Sequence, residues 1–277
     1  MAELVSIIIP TYNRAYILPN AIHSVLAQTY INWELVIVDD GSTDNTKNIV
    51  NDFQNEKILY VSQINAGPSA ARNRAFQVAR GNWIAYLDSD NELYPEYLER
   101  MMASVDQHPD VLFLLPKGKR TLELIENNQV IKEIDDSRDF PDKLTLKDIF
   151  LRTMHFDING FMHSRRILDE GLTWDCNLSL MEDWDFVMQI GERHPTNFYY
   201  VSEVLFHYHQ RFGGDGLVSS GKYIDWANAF EYIYQKHKSD LLMTGQQWYP
   251  NRVEKYNNLH IEELKGSAPP AYLKYFS

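Results

Sequence analysis

Cysteine is nearly absent from this sequence, which has a single one, Cys176, in 277 residues. One cysteine excludes an intrachain disulfide and favours a chain that works in a reducing compartment. Long apolar runs are also missing, since no stretch approaches the roughly 18 apolar residues of a membrane-spanning helix. No basic segment precedes the first apolar run, so a signal peptide is not expected. We therefore expect a cytoplasmic protein without a transmembrane segment.

Positive charge is in deficit as well. Lysine and arginine together number 26, against 38 aspartates and glutamates, and the formal net charge is −12. This balance disfavours nonspecific binding to nucleic acid or to anionic lipid. A chain of this charge that binds a polyphosphate needs a local cation, which is either a metal ion or a few well-placed basic side chains.

Glycine-rich phosphate-binding motifs are absent too. Neither GxxxxGK[ST] nor GxGxxG occurs, since GLVSSGK at 216–222 is followed by Tyr223 instead of serine or threonine. This excludes the ATPase and dehydrogenase classes that depend on those loops. A sugar nucleotidyltransferase, another α/β enzyme that binds nucleotide and metal, would want a glycine-rich basic loop near the N-terminus. The N-terminal stretch SIIIPTYNR contains no glycine, so nucleotidyl transfer is kept only as an alternative.

Apolar runs and helical spacings alternate along the first hundred residues. Four runs that end in polar residues predict strands at 5–9, 34–38, 58–61 and 83–87, of which the first and the last are expected to be buried. Helices are predicted at 18–26, in the segment up to Phe53, at 69–80 and at 95–105. Strands and helices that alternate at this spacing predict an α/β fold, with a Rossmann-like parallel sheet and helices on both of its faces.

The pattern changes after residue 110. The predicted elements are a strand at 111–115, a hairpin at 122–134 around Asn127-Asn128, a helix at 145–153, a strand at 158–163, a helix at 182–192, a strand at 201–208 and a helix from Tyr223. The tail beyond Gly245 shows no clear period. No internal repeat or low-complexity linker occurs, which indicates a compact unit with a C-terminal helical extension.

The segment WIAYLDSDNELYP brings two carboxylates, Asp88 and Asp90, to the end of a buried strand. In open α/β sheets, ligands bind outside the carboxyl ends of the strands. Two aspartates one residue apart can both offer oxygens to a divalent cation, and such a cation often bridges substrate phosphates. The alternative is that they cap the helix beginning near Pro95, although a cap needs only one carboxylate.

Several ordered motifs together resemble a known family. SIIIPTYNR, ELVIVDDGSTDNT, NAGPSAARNRA and GNWIAYLDSDN, followed by GFMHSRRIL and MEDWDF, are similar to the bacterial inverting glycosyltransferases of family 2, which have the GT-A fold. The similarity is dense over about the first 105 residues, and none is recognised at 116–150 or beyond about 215. It implies a donor-binding half at 1–110, an acceptor-side half at 111–215 and a helical extension at 216–277.

The resemblance implies a metal-dependent, inverting transfer of a sugar from a nucleotide donor, with UDP favoured, to an acceptor hydroxyl by direct displacement. The acceptor class it suggests is a growing surface glycan, such as capsule or lipopolysaccharide, or its lipid-linked precursor. Peripheral association with the inner face of the cell membrane is therefore left open. The implied cofactor is Mn²⁺ or Mg²⁺, which acts as a Lewis acid on the leaving diphosphate.

The resemblance also assigns residues to the donor site. Pro10-Thr11-Tyr12 matches the edge of the family's uracil pocket, and Asp39 can accept a hydrogen bond from the uracil imide N–H. Arg72 stands at a position that contacts the nucleotide in the family. The alternatives are a turn and helix cap for Asp39, core packing for Tyr12 and a solvated helix position for Arg72.

The triplet Asp88-Ser89-Asp90 matches the family's metal-holding acidic motif. By resemblance, Asp90 is the more direct metal ligand, while Asp88 lies nearer the ribose and the metal. Ser89 belongs to the same nucleotide-binding turn. Asn91 follows where many relatives carry a third acid or a small residue, and we assign no role to it.

The motif MEDWDF stands where the family keeps its catalytic base. An inverting reaction needs a base that removes the proton of the acceptor hydroxyl. By resemblance this base is Asp183, with Glu182 helping to hold the acceptor and Asp185 as the second candidate. A helix N-terminus favours ionised carboxylates, which also explains without any catalytic role why acids occur there.

The segment FHYHQRFGG departs from the family pattern. His209 stands where an arginine is common, and Arg211 stands where many relatives place a histidine close to the metal or the diphosphate. His209 is therefore a candidate metal ligand, and Arg211 and His207 are candidates for the diphosphate or its loop. A structural role is the alternative for each histidine. The glycines at 213–216 suggest a loop that closes over the donor.

Two further alternatives stay open. A catalytically inactive nucleotide-sugar-binding subunit would keep the fold, but the intact acidic motifs argue against it. A phosphoacceptor receiver domain would explain Asp39-Asp40 alone, and the chain is too long for one.

The aromatic helix around Trp226, Phe230 and Tyr234 has three possible uses, namely core packing, a homodimer interface and contact with a membrane. Core packing is the favoured one.

Overall fold

A nine-stranded sheet organises the chain. The computed structural model describes residues 2–127, 129–136, 141–150, 157–212, 223–238 and 248–264. The strands are β1 (Val5–Thr11), β2 (Trp33–Asp39), β3 (Ile58–Ser62), β4 (Trp83–Tyr86), β5 (Glu92–Leu93), β6 (Phe113–Glu126), β7 (Gln129–Asp135), β8 (Met162–Ser164) and β9 (Phe198–Phe212). The helices are α1 (Leu18–Leu26), α2 (Thr46–Asp52), α3 (Pro68–Phe76), α4 (Tyr97–Gln107), α5 (Leu146–Phe150), α6 (Arg166–Asp169), α7 (Glu182–Arg193), α8 (Tyr223–His237) and α9 (Trp248–Leu264).

The sheet has a parallel half and a mixed half. Its strand order is β3-β2-β1-β4-β8-β6-β9-β5, and β7 lies beside β6. β1 pairs in parallel with β2 and with β4, and β2 pairs in parallel with β3. β8 then runs antiparallel to both β4 and β6. The first four strands thus form the parallel sheet that the strand–helix alternation predicts.

Side chains of β1 enter two hydrophobic cores, one on each face of the sheet. Ile8 belongs to the core that contains Ala71 and Ala75 of α3, whereas Ile7 and Ile9 belong to the core that α1 covers. Because successive strand side chains point to opposite faces, a strand with apolar side chains on both faces requires cover on both sides of the sheet. Each fully buried aliphatic side chain stabilises the fold by about 1.5–3 kcal/mol. The predicted α/β fold is confirmed.

One long strand replaces two predicted elements. The sequence separates a strand at 111–115 from a hairpin at 122–134, but β6 runs unbroken for 14 residues and pairs in parallel with β9. Pro116, Lys117 and Gly118 are poor strand formers, and the register of the pair shifts at these residues. A Cβ at Gly118 would lie 2.4 Å from the ring of Phe206, so glycine lets that ring cross the strand. The hairpin itself is confirmed by the β6–β7 pairing.

Several predicted boundaries need correction. α3 ends at Phe76 instead of residue 80, and the strand predicted at 158–163 is reduced to β8. The tail that shows no period in sequence contains α9. The predicted helix at 145–153 is present as α5, and its last three residues lie outside the described residues, as does the glycine loop at 213–216.

The C-terminal helices pack onto the protein through their aromatic residues. Phe230 of α8 is 2% exposed and belongs to the same core as α3. Trp226 packs against this core, and its ring stacks on Tyr256 of α9 at 5.9 Å between centroids. Core packing, the favoured use of this aromatic helix, is confirmed. Within the described ranges, every helix falls short of the length and hydropathy that a membrane crossing requires.

A neutral histidine lies at the centre of the larger core. His163 of β8 is wholly buried, with Nε2 2.7 Å from the hydroxyl of Tyr86 and Nδ1 2.9 Å from the carbonyl oxygen of Ser164. A neutral ring satisfies both contacts, since Nδ1–H donates to the carbonyl and Nε2 accepts from the tyrosine. Burial lowers the pKa of His163 to about 4.

His163 makes the protein sensitive to acid. In the unfolded chain its pKa returns to about 6.5, so the unfolded state binds the extra proton as the pH falls from about 6.5 to 4. We expect this residue to lower the free energy of unfolding by about 2 kcal/mol at pH 5 relative to pH 8. Urea unfolding at both pH values measures it. The His163→Gln variant should lose correspondingly less stability than wild type, whereas the exposed-site control His23→Gln should behave like wild type. Equal losses in wild type and His163→Gln would contradict this explanation.

Candidate active site

The parallel strands end together at one edge of the sheet. Thr11, the last residue of β1, pairs with Asp39, the last residue of β2. Leu87, just beyond β4, still donates its N–H to the carbonyl oxygen of Ile8 at 3.0 Å. The segments that follow these three strands therefore begin side by side, as expected for a ligand site in an open α/β sheet.

The first two of these segments are hydrogen-bonded to each other. Asn13 adopts a left-handed conformation with φ 52°, which asparagine tolerates better than most residues. Its Oδ1 accepts from the N–H of Thr43 at 2.7 Å, and its own N–H donates to Oγ of Ser42 at 2.8 Å. Pro10 is half-buried and Thr11 buried, while 46% of Tyr12 is exposed. The core-packing alternative for Tyr12 is therefore wrong.

Asp39 has partners on both carboxylate oxygens. Oδ1 accepts from the N–H of Ser42 at 2.8 Å, and Oδ2 accepts from the hydroxyl of Tyr60. Burial and then this hydrogen bond raise the pKa of Tyr60. The turn part of the alternative for Asp39 is thus confirmed. The helix-cap part is wrong, because α2 begins after Asn45 without a side-chain cap. The contact of Asp39 with a nucleotide base stays a prediction.

Asp40 anchors the segment that leads into α3. Its carboxylate, which is 4% exposed, accepts from Nε2 of Gln63 at 2.7 Å and from the N–H groups of Ala66 at 2.9 Å and Gly67 at 2.7 Å. Gly41 allows this close approach, because its φ is +83° and a Cβ there would lie 2.9 Å from the backbone nitrogen of Asn65. The start of α3, and with it Arg72, is positioned by this buried carboxylate.

Asp88 is held from two sides at the end of β4. Its N–H donates to Oδ1 of Asn159 at 2.7 Å, and Nδ2 of Asn159 donates to Oδ2 at 3.2 Å. Arg72 donates through Nη2 to Oδ1 at 2.9 Å. One third of the Asp88 side chain (33%) remains exposed. α4 starts at Tyr97 without a side-chain cap, so the capping alternative for the two aspartates is wrong.

Asp90 lies between two arginines. Nη1 of Arg14 is 3.3 Å and Nη1 of Arg211 is 3.4 Å from Oδ2, and Arg211 also donates to the carbonyl oxygen of Asp90 at 3.0 Å. Burial raises the pKa of Asp90, and the two arginines oppose this effect. Ser89, between the two aspartates, is buried. The two aspartates of the triplet therefore have different partners: Asp88 pairs with Arg72, and Asp90 pairs with Arg14 and Arg211.

Strands β6 and β9 together contribute a charged cluster next to Asp90. Glu123 of β6 binds Nδ1 of His209 through one oxygen and Nε of Arg211, at 3.0 Å, through the other. His207 lies beside His209, as the two-residue spacing predicts, with 3.9 Å between ring centroids. Its Nε2 contacts Oγ1 of Thr121 at 2.8 Å, and burial lowers its pKa to about 4. The metal and diphosphate roles of these residues stay predictions.

Arg72 connects the strand edge to the second acidic motif. Its side chain is 4% exposed, donates to Asp88, and donates through Nη1 to Oε1 of Glu182 at 3.1 Å. The guanidinium carbon lies 4.5 Å from the ring centroid of Trp174, a cation–π contact. The solvated alternative for Arg72 is therefore wrong. This one buried arginine brings the triplet and the MEDWDF motif into a single site.

The MEDWDF motif opens α7 as predicted. Met181 precedes the helix with φ 62°, so Glu182 and Asp183 begin the first turn, where the helix dipole favours ionised carboxylates. Asp183 is half-buried, and its Oδ1 accepts from the N–H of Trp184 at 2.8 Å. Asp185, the second candidate for the base, is wholly buried, which leaves it without access to an acceptor.

A third carboxyl group, that of Asp157, lies near the two aspartates of the triplet. Burial, and after it the charges of Asp88 and Asp90, raise the pKa of Asp157 to about 7. Carboxylate oxygens are the ligands that Mg²⁺ prefers, so this donor set fits a hard divalent cation. Among the residues that the structure describes, no three His, Cys, Asp or Glu side chains form a metal cluster. A cation here would be held by Asp88 and Asp90, with waters and substrate oxygens completing its shell.

A known family matches the part of the chain that forms the strand edge of this site. The family described as "Glycosyl transferase family 2" matches residues 6–172, which is more than half of the chain. The chain belongs to glycosyl transferase family 2. The matched segment includes the strand edge, Arg72 and the aspartate triplet, whereas MEDWDF and the C-terminal helices follow it.

Individual relatives agree with this family. The chain is 40% identical over 129 residues to the UDP-Glc:alpha-D-GlcNAc-diphosphoundecaprenol beta-1,3-glucosyltransferase WfgD of Escherichia coli, a match that covers 46% of this chain and 49% of that protein. The chain spans about half the length of the first curated relatives that it matches.

Solved structures share the fold. TarS 1–349 of S. aureus in complex with UDP-GlcNAc has a TM-score of 0.69 and 22% identity, over 93% of this chain and 72% of that one. The mannosyltransferase PcManGT of Pyrobaculum calidifontis, in complex with GDP-Man and Mn²⁺, has a TM-score of 0.65 and 16% identity, over 100% of this chain and 79% of that one. The GT-A fold that the resemblance implied is confirmed.

Residues that sequence reasoning missed and that the structure brings into the site include Arg14, Glu123, Asp157 and Asn159. Arg14 lies within the motif SIIIPTYNR, so the sequence indicates that it is near the site. Its partner Asp90 is 76 residues away, and no local pattern reveals this pairing. The other three lie in segments without recognised motifs, where no local signal marks them.

Proposed function

We propose that this protein is a metal-dependent, inverting glycosyltransferase that moves a sugar from a UDP-linked donor to a hydroxyl of a glycan or lipid-linked glycan. The observation that carries the proposal is the pair of ion pairs made by Arg72. This arginine binds Asp88 and Glu182 at 2.9 and 3.1 Å. The acids suited to a cation that binds the donor diphosphate and those suited to an acceptor hydroxyl therefore share one site. In this proposal residues 1–110 bind the donor, 111–215 receive the acceptor and 216–277 form a helical extension.

The donor nucleotide is assigned to the strand edge. Tyr12 is exposed beside Pro10 and Thr11 and offers an aromatic face to a base, while Asp39 offers carboxylate oxygens to an imide N–H. A UDP-linked sugar is supported by the printed donor of WfgD and by the UDP-GlcNAc bound to TarS. Arg72, and Arg211 with His207, are the candidates that meet the phosphates.

The cation is assigned to Asp90 and Asp88, with His209 as a further candidate ligand. When bound, a divalent cation would neutralise charge on the leaving diphosphate as a Lewis acid. The proximity of Asp157 to Asp88 and Asp90 supports a cation in this place, and PcManGT is solved in complex with Mn²⁺. Mn²⁺ and Mg²⁺ are both compatible with two carboxylates.

The acceptor step is assigned to Asp183 and Glu182. Asp183 takes the proton of the acceptor hydroxyl while that oxygen forms a bond to the anomeric carbon. The bond from this carbon to the diphosphate oxygen breaks, and the nucleoside diphosphate leaves with the electron pair. Attack opposite the leaving group inverts the anomeric centre. Glu182, which is held by Arg72, would orient the acceptor.

Calorimetric titration tests the donor assignment. UDP should bind with higher affinity in the presence of Mn²⁺ than in its absence, and more tightly than GDP or dTDP. UDP-sugars are then screened for slow release of UDP, which identifies the sugar. If none of the three nucleotides binds with or without metal, the proposal is wrong. If nucleotide binds but no sugar is released or transferred, the inactive nucleotide-sugar-binding subunit becomes the better explanation.

A further inference from the structure

The C-terminal helix α8 reaches the acidic motif of α7 from outside the matched family segment. The family matches residues 6–172, whereas α8 begins at Tyr223. Ala229, Phe230 and Ile233 of α8 lie in the same core as Trp184 and Val187 of α7. The apolar side of α8 therefore explains why it packs here. Its last turn carries Lys236 and His237, which the packing alone does not explain.

Lys236 and His237 neutralise the buried third acid of the MEDWDF motif. Nζ of Lys236 lies 2.8 Å from Oδ1 and 2.9 Å from Oδ2 of Asp185, and Nε2 of His237 lies 2.9 Å from Oδ1. Gln189 donates to the same carboxylate at 2.7 Å. An unpaired charge in this wholly buried position would be strongly unfavourable. The first turn of α7 is therefore tied electrostatically to α8.

His237 bridges two acids of α7. Its Nδ1 lies 2.6 Å from Oε1 of Glu192, while Nε2 faces Asp185. A ring with an acid at each nitrogen donates twice and is therefore an imidazolium. Although burial lowers it, the hydrogen bonds to Asp185 and Glu192 raise the pKa of His237. The ring thus holds α8 against two turns of α7.

Lys236 also binds the segment that supports Arg72. Nζ lies 2.8 Å from Oδ2 of Asp175, which also accepts from the hydroxyl of Tyr232 at 2.8 Å. Asp175 directly follows Trp174, the aromatic ring under the Arg72 guanidinium. One ammonium group thus joins the base-bearing helix to the platform beneath the arginine that holds Glu182.

We propose that Lys236 is a positioning residue, which sets the first turn of α7 relative to Trp174 and thereby aims the carboxylates of Glu182 and Asp183 at the acceptor. This inference rests on the proposed function, because it gives the two carboxylates their task. Lys236 itself contacts no reacting atom in the proposed transfer. The C-terminal extension therefore helps to position the catalytic carboxylates of the acceptor half.

The Lys236→Met variant tests the inference. Methionine keeps most of the aliphatic stem and removes the charge. We expect kcat to fall roughly tenfold to hundredfold, since small misplacements of catalytic groups have such effects, while the donor KM and the UDP affinity stay within about twofold. Hydrogen exchange should become faster in residues 173–186. Lys236→Arg, which keeps a cation with several donors, should recover most of the activity.

Matched measurements separate this role from simple stabilisation. Lys238, just after the end of α8, donates from its ammonium group to the exposed side chain of Gln235. The Lys238→Met variant should therefore match wild type in rate and in exchange. A Lys236→Met protein with a lower melting temperature but unchanged kcat per folded molecule, or with unchanged exchange at 173–186, overturns the inference. If wild type neither binds UDP nor transfers sugar, the proposed function fails, and the exchange data still decide whether Lys236 holds the two segments together.

Discussion

Replacing Asp183 by asparagine is expected to lower kcat for sugar transfer by about 10²–10⁴-fold, the usual contribution of a general base. Asparagine has nearly the same shape, so it can keep the contact of Oδ1 with the N–H of Trp184. It cannot accept the acceptor proton at neutral pH. The donor KM and the affinity for UDP should stay near wild type, because the donor is assigned to the opposite side of Arg72.

A lower kcat with unchanged donor KM and UDP affinity is the result expected for loss of a base on α7. Asp183 lies in the first turn of α7, where the helix dipole favours a carboxylate. It is only half-buried, so an acceptor can reach it. Asp185, two residues on, is buried under Lys236 and His237 and cannot take over. The rate lost in Asp183→Asn should therefore not be recovered by a neighbouring acid.

Initial rates of UDP release and of glycan product, with calorimetry for UDP, measure the effect. Asp52→Asn on the exposed face of α2 is the matched control for loss of one carboxylate, and it should transfer at the wild-type rate. Transfer by Asp183→Asn at more than about a tenth of the wild-type rate would contradict the assignment, given the size of base effects. Glu182→Gln would then be the next variant to measure.

Replacing Asp90 by asparagine is expected to remove the effect of Mn²⁺ on UDP binding and to lower kcat at least about 10²-fold, because a metal Lewis acid supplies several kcal/mol of charge stabilisation. The carboxamide has one oxygen donor and no charge. It also leaves Arg14 and Arg211 facing a neutral group. The loss should therefore appear in calorimetry before any sugar is transferred.

Two controls separate the metal role of Asp90 from its ion pairs. Arg14→Gln removes one of the same ion pairs and keeps the carboxylate, so Mn²⁺ should still increase its affinity for UDP. Asp106→Asn, at an exposed position of α4, should match wild type. Thermal unfolding of all three checks that the fold is intact. An Asp90→Asn protein whose UDP affinity rises with Mn²⁺ as in wild type would show that other groups bind the cation.

Local patterns were sufficient for the parallel half of the fold. Apolar runs of four or five residues ended by polar residues predicted β1 to β4, because strands of a parallel sheet covered by helices are mostly apolar. The same reasoning failed at β6, where Pro116 and Gly118 interrupt the pattern although the pairing with β9 continues. A long partner strand compensated for weak local propensity there, and a single sequence window contains no information about that partner.

Motifs located the candidate site but not its internal contacts. The sequence by itself determined that Asp88 and Asp90 end a strand, that Glu182 and Asp183 open a helix and that the family is glycosyl transferase family 2, since each depends on neighbouring residues. Only the tertiary structure decided that Arg72 joins Asp88 to Glu182, which lie 16 and 110 residues away from it. It also decided that Lys236 lies against Asp185. Such pairings depend on how elements pack in space, and charged residues carry no periodic signal that reveals a distant partner.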